Sequence, residues 1–188
     1  LSRFWFNHGH ISEAKTWTKR ALAKDDGSNL AARARVLMAA GFFFGQTPGL
    51  DQDTELRRSY FEESIRIWKQ LGDKRNLGTT LIGYAFFLNR HGEYAKAIEV
   101  AERSVEVLSE TDSPVLIARA ANNLALTLLE TGEFQRALPM LEKALRDARR
   151  SKDVFLEAVC LHNLAEVAQH MKEFDNAEVT AARNHLLG

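Results

Sequence analysis

The sequence predicts an all-α fold of tandem antiparallel helix pairs repeating about every 40 residues. Three observations carry that expectation. The segments GEYAKA at 92–97, GEFQRA at 132–137 and KEFDNA at 172–177 recur at intervals of 40 residues. A fixed period of this size marks a supersecondary block that buries its apolar face only against its neighbours, so the units must stack into an elongated solenoid. Ahead of each segment, apolar residues follow spacings of three and four, as in Leu77, Leu81, Tyr84, Ala85 and Leu88, which line up on one helical face. No stretch alternates with period two, so no sheet is expected.

The array spans 1–188 as a single domain: a partial first unit at 1–27, then 28–72, 73–112, 113–152 and a truncated fifth unit at 153–188. Ser28, Asp73, Ser113 and Asp153 are placed as helix N-caps, because a short polar side chain accepts a hydrogen bond from the unpaired donors of the first turn. Pro114 suits the first helical position, where its missing donor costs nothing. A turn near Gly92 and its equivalents leads into a second amphipathic helix. Ala97, Ala101 and Ser104 superimpose on Ala137, Leu141 and Ala144, and again on Ala177, Ala181 and Asn184. Working backwards, Tyr60, Ser64 and Ile65 fall in phase with Val100, Ser104 and Val105, and Ala14, Ala21 and Leu22 open an earlier unit offset by 43. The stretch GQTPGLDQDT, from Gly45 to Thr54, reads as a longer surface loop. Pro139 falls inside a second helix and should kink it mildly rather than break it.

Composition narrows the functional classes. With 45% hydrophobic residues, three Trp and eleven Phe, the chain can bury a continuous core without disulfide or metal. Twenty-five basic residues balance twenty-five acidic ones, so no long-range field recruits nucleic acid or an anionic membrane. Cys160 is the single cysteine, which excludes an internal disulfide framework and fits a reducing, cytoplasmic setting. No run reaches the roughly 20 apolar residues of a membrane span, and the start lacks signal-peptide character. Opening at Leu1 and stopping just after an apolar helical run, the sequence is expected to be a slice of a longer protein.

The small residues Ala85, Ala125 and Ala165, each seven before the turn, and the alanines five after it resemble the tetratricopeptide repeat. Small side chains there let paired helices approach closely. The usual unit has about 34 residues, so helices about half a turn to a turn longer are expected here. FWFNHGHISEAKTWTKRALA at 4–23 and YFEESIRIWKQLGDKRNLG at 60–78 look more specifically like the repeat region of MalT-like, LuxR-type or AfsR-type signal-transduction ATPase regulators. That resemblance implies a right-handed superhelix and a non-catalytic scaffold that senses an inducer or partner. It also implies flanking modules that bind nucleotide and DNA. Neither GxxxxGK[ST] nor a helix-turn-helix signature is present, so this segment is expected to contact no nucleic acid directly. A stand-alone peptide-binding receptor and a repeat region fused to a kinase or cyclase module are the alternatives. Arg57 in place of the usual alanine, Lys172 in place of the turn glycine, and the missing terminal proline depart from the pattern.

In the family, the first helix of each pair lines a concave groove, which would hold a protein, peptide or small-molecule inducer without a cofactor. Helical phase places Arg35, Met38 and Phe42 there, then Ile82, Phe86 and Arg90, then Arg119, Asn122, Asn123 and Leu126, then His162, Asn163, Glu166 and His170. Asn123 and Asn163, 40 residues apart, would grip successive backbone groups of an extended peptide. The competing reading is that asparagine here bonds to the adjacent repeat. Arg35, Arg90 and Arg119 would fork onto carboxylates or phosphates, or serve as ordinary salt-bridge partners. Phe42, Phe43 and Phe44 must point in different directions, so at most two reach the groove. His162, Glu166 and His170 share a helical face, but the outer pair lies roughly 12 Å apart by helical rise, too far to share an ion. His8 and His10 add no third ligand of recognisable spacing, and Cys160 reads as a buried thiol.

Overall fold

The computed structural model describes residues 11–24, 26–43 and 54–187, with side chains described except at helical positions 11, 12, 14, 43 and 173–187. Residues 45–53 of the loop expected over 45–54, His8, His10, Phe44, the ring of Phe43 and the side chains of Ala14, Ala177, Ala181 and Asn184 lie outside the described residues, while Thr54, the last residue of that expected loop, is already helical. Among those residues there are eight helices and no strand: α1 (Ile11–Ala23), α2 (Leu30–Phe43), α3 (Thr54–Leu71), α4 (Lys74–Arg90), α5 (Tyr94–Ser109), α6 (Pro114–Glu130), α7 (Phe134–Ser151) and α8 (Val154–Leu187). They form tandem antiparallel pairs, as the 40-residue period requires.

The turns are set by backbone conformations that glycine reaches without steric penalty. Gly92 and Gly132, at matching positions one period apart, sit at φ 75° and 77°. The next amide closes each helix end, Glu93 N–H donating to the Leu88 carbonyl at 3.0 Å and Glu133 N–H to that of Leu128 at 2.8 Å. Lys172 stands at the same position in the last unit, and there the turn fails to form. Helix α8 runs 34 residues through it to Leu187, so the fold-back expected at 172–177 is replaced by continuous helix. A lysine at positive φ costs about 1–2 kcal/mol that glycine avoids. Lys152 does adopt φ 57°, but the turn there is secured by its neighbour: the Asp153 carboxylate accepts the Leu156 N–H at 3.1 Å and caps α8.

Capping follows the sequence in part. Asp73 accepts the Asn76 N–H at 3.0 Å, and its second oxygen takes the Asn76 amide at 2.7 Å. Those bonds, with the nearby positive Arg35, hold the Asp73 carboxyl below its usual pKa. Ser113 occupies the cap of α6 without a side-chain bond. Ser28 is one residue early, because Asn29 Oδ1 accepts the Ala32 N–H at 2.9 Å and caps α2. Helix α7 continues through Pro139, whose ring is on the exposed side.

The chain divides into two compact units, Leu1–Thr111 and Asp112–Gly188. In the first, Leu37, Ile67, Trp68, Leu77, Leu81 and Val107 form one cluster, and Phe61, Tyr84, Phe87, Leu88 and Ala97 another. Burying each large ring contributes about 1.5–3 kcal/mol. Leu22 packs against the first cluster, whereas Ala21, expected to open the first unit's apolar face, is exposed. Gly78 lets α4 and α5 close up, since a Cβ there would overlap the Leu108 side chain. In the second unit, Ala118, Ala144, Ala148, Leu156 and Cys160 form the cluster joining α6, α7 and α8. Ala85 and Ala125 are wholly buried, as small helix-contact residues should be. Ala165, their equivalent one period later, is exposed because α8 does not turn back over it.

Candidate interaction face

In the first unit, α2 and α4 each leave one stripe uncovered. On α4 it runs through Arg75, Thr79, Ile82, Phe86 and Arg90, spaced by three or four residues, with exposed arginines at its ends and half-buried residues between. On α2 it runs through Arg35, Met38, Ala39 and Phe42. Arg35, Phe42, Phe86 and Arg90 are thus placed on this open face. Phe42 is 36% exposed and packs edge-on against Phe61, ring centroids 5.9 Å apart. Gly83 makes room for it, since a Cβ there would meet its ring. Arg35 and Arg90 enter no ion pair among the described residues.

On the far side of α4, a polar network ties three helices together. Arg58 of α3 pairs with Glu93 at the head of α5, and the Tyr84 hydroxyl donates to Glu62 at 2.8 Å. The Arg58 guanidinium holds Glu93 below the usual carboxylate range. Burial, reinforced by the bond to Glu62, pushes the Tyr84 phenol up to about 12. Arg57, standing where the repeat pattern has alanine, is accommodated by a bond from Nε to the Gly41 carbonyl at 2.9 Å and by stacking 4.6 Å over Phe87. Between α3 and α5 lies a hollow of about 390 Å³, floored by Ile65, Leu81, Tyr84 and Val100 and rimmed by charges such as Arg66 and Arg103. Sequence reasoning missed it by considering only the first helix of each pair; the apolar Ile65 and Val100 on second helices were the available signal.

In the second unit, the residues read as ligand contacts are largely occupied by one another. Asn122 and Asn163, 8% and 4% exposed, meet across α6 and α8, where the Asn163 amide donates to Asn122 Oδ1 at 3.1 Å. The Cys160 thiol reaches the same oxygen at 3.5 Å. Asn123 is also buried, and its Oδ1 has no hydrogen-bond partner among the described residues. The three amides therefore present no paired grip to an extended chain in this arrangement. Arg119 pairs with Asp153 at 2.8 Å, linking the start of α8 to α6. Leu126 is half-buried on the uncovered side of α6.

His162 and Glu166, one turn apart on α8, border a shallow depression of about 360 Å³ with Ala165 and Gln169. His170 does not join them in a cluster: its ring stacks on Phe134 of α7 at 5.1 Å. Among the described residues, no three His, Cys, Asp or Glu side chains stand close enough to hold a metal ion. Cys160 is fully buried, and loss of hydration pushes its thiol up to about 11, which removes it from thiolate chemistry near neutrality. Among the described residues, no helix is long and apolar enough to cross a membrane.

Comparison with known proteins agrees with this geometry. Residues 116–183 match the tetratricopeptide repeat family. No curated protein matches the chain. Among solved structures, BtubC (BKLC) from P. vanneervenii is similar with a TM-score of 0.69 and 22% identity, over 93% of this chain and 69% of that one. A Podosopora anserina chain of kinesin light chain type, with nearly identical TPR-like repeats, is similar with a TM-score of 0.70 and 15% identity, over 95% of this chain and 87% of its own. A point variant of that fungal chain gives 0.71 and 14%, over 97% and 89%. At these identities the likeness speaks for the fold, an array of tetratricopeptide-like helix pairs. Such arrays are interaction scaffolds.

Proposed function

We propose that this chain, acting as one array over 1–188, is the sensor and interaction segment of a larger bacterial transcription regulator of the MalT-like kind. It performs no chemistry itself. An inducer or protein partner occupies the open face of the first helices and passes its effect to nucleotide- and DNA-binding modules elsewhere in the parent protein. The observation that carries this reading is the uncovered strip of α2 and α4, where Phe42, Ile82 and Phe86 keep apolar surface in water beside Arg35 and Arg90. Single exposed rings such as Trp17 and Phe155 occur elsewhere, but here three apolar side chains on adjacent helices adjoin one another between arginines unpaired among the described residues, and a contiguous apolar strip of that kind marks a place for a partner. The resemblance of residues 4–23 and 60–78 to the regulators' repeats supports the transcriptional setting, and a cytoplasmic location goes with it.

The mechanism follows from linkage. A guest shifts the parent protein between states only by as much as it prefers one arrangement of the helices over another. Phe86→Asp in the full-length parent, coupled to a transcriptional reporter, tests this. Losing a buried ring is worth about 1.5–3 kcal/mol, so the inducer concentration for half response should rise at least tenfold while helicity by circular dichroism is unchanged. An unaltered induction curve from a folded variant would overturn the assignment of this face.

A further inference from the structure

Charge is sorted between the helices of the first unit in a way the balanced total conceals. Helices α2 and α4 together contain Arg33, Arg35, Lys74, Arg75 and Arg90 and not one Asp or Glu. Within the helices of these pairs the acidic residues sit on α3 and α5, including Glu55, Glu62 and Glu63 on α3 and Glu99, Glu102 and Glu106 on α5, while Asp73 stands just ahead of α4 as its cap. Two of the five inner cations are committed within the unit, Arg33 to Glu63 at 2.7 Å and Lys74 to Glu110. The other three, Arg35, Arg75 and Arg90, are exposed and in no ion pair among the described residues.

Their positions matter as much as their number. Arg75 and Arg90 bracket the α4 stripe fifteen residues apart, about 22 Å along the axis at helical rise. Ile82 and Phe86 lie between them, with Phe42 of α2 seated beside them over Gly83. Helices α2 and α4 run parallel, which puts Arg35 at the same end as Arg75. The face is an apolar strip with cations at both ends; among the described residues the carboxylate beside it is Asp73, at the Arg35 and Arg75 end, and both its oxygens are taken by Asn76 in capping α4.

Resting on the reading of this face as the interaction surface, we infer that its occupant is a protein segment with a central apolar run and a carboxylate at each end, the two about 22 Å apart. The apolar run covers Ile82, Phe86 and Phe42, and each carboxylate accepts the planar fork of an arginine. A segment with cationic ends is rejected at both. An extended chain spans the distance in about seven residues and a helix in about fifteen.

The test is fluorescence anisotropy on the intact chain with labelled synthetic peptides: one of Leu and Phe with Asp pairs seven residues apart, one helix-forming with Asp pairs fifteen apart, and a Lys-flanked version of each. Binding by an Asp-flanked peptide that weakens with added salt is expected, with the Lys-flanked version at least tenfold weaker. The pair Arg75→Glu and Arg90→Glu should weaken the Asp-flanked peptide at least tenfold and restore the Lys-flanked one. Arg103→Glu, on the other side of α4, should change neither. Equal binding of both charge types, indifference to the arginine reversals, an equal loss from Arg103→Glu, or no binding by any peptide overturns the inference. If no peptide binds while Phe86→Asp still abolishes induction in the parent protein, the interaction face survives and only this class of guest is lost.

Discussion

Removing the amide of Asn122 separates the two roles its sequence position allowed. The Asn163 Nδ2 has its bond at 3.1 Å to Asn122 Oδ1, inside a contact where the two residues are 8% and 4% exposed. Asn122→Ala leaves that donor buried and unpaired, at a cost of about 1–3 kcal/mol. Asn163→Ala leaves Asn122 Oδ1 with only the Cys160 thiol at 3.5 Å, a smaller loss of about 1 kcal/mol because a thiol is a weak donor. In the double variant neither amide is stranded, so its destabilisation should fall short of the sum of the singles by about 1 kcal/mol. Urea denaturation measures all four proteins, and a thermal shift of roughly 2–4 °C per kcal/mol for a chain of this size gives a second reading. Strict additivity, or no effect from either single variant, would refute the structural role and return both amides to the list of ligand contacts.

Two other perturbations probe the packing. Gly78→Ala gains about 1 kcal/mol of helix propensity, but its Cβ must displace the fully buried Leu108 side chain, an overpacking cost of about 1–3 kcal/mol. The net expectation is destabilisation by about 1 kcal/mol, measured by urea titration, and a more stable variant would mean α4 and α5 are less tightly apposed than described. Cys160, with its thiol raised to about 11 against about 8.5 in an unfolded chain, favours the protonated form when folded. Its contribution is fully present below pH 8.5 and is lost as pH climbs towards 11. A disulfide reagent at pH 8 should therefore react at least a hundredfold faster in denaturant than with the native protein; equal rates would show the thiol is accessible.

The sequence alone determined the helix pairs, their 40-residue period and the turns at Gly92 and Gly132, because these follow from local rules: apolar spacing along one helix, a cap, a residue free to take positive φ. Helical phase, a property of one helix at a time, also grouped Arg35 with Phe42 and Phe86 with Arg90, and each pair lies on a stripe its helix leaves uncovered. What a face is used for depends on the neighbouring helix, and only the tertiary structure decided that. Asn122 turned out to be taken by Asn163, 41 residues on, and Arg119 by Asp153, 34 residues on. The same holds for Lys172, whose local pattern promised a turn while Lys152 made one. Lys152 keeps its left-handed conformation beside Asp153, a cap that also anchors α8 to α6, and an anchor made by a residue of another helix is not spelled out by spacing in a sequence.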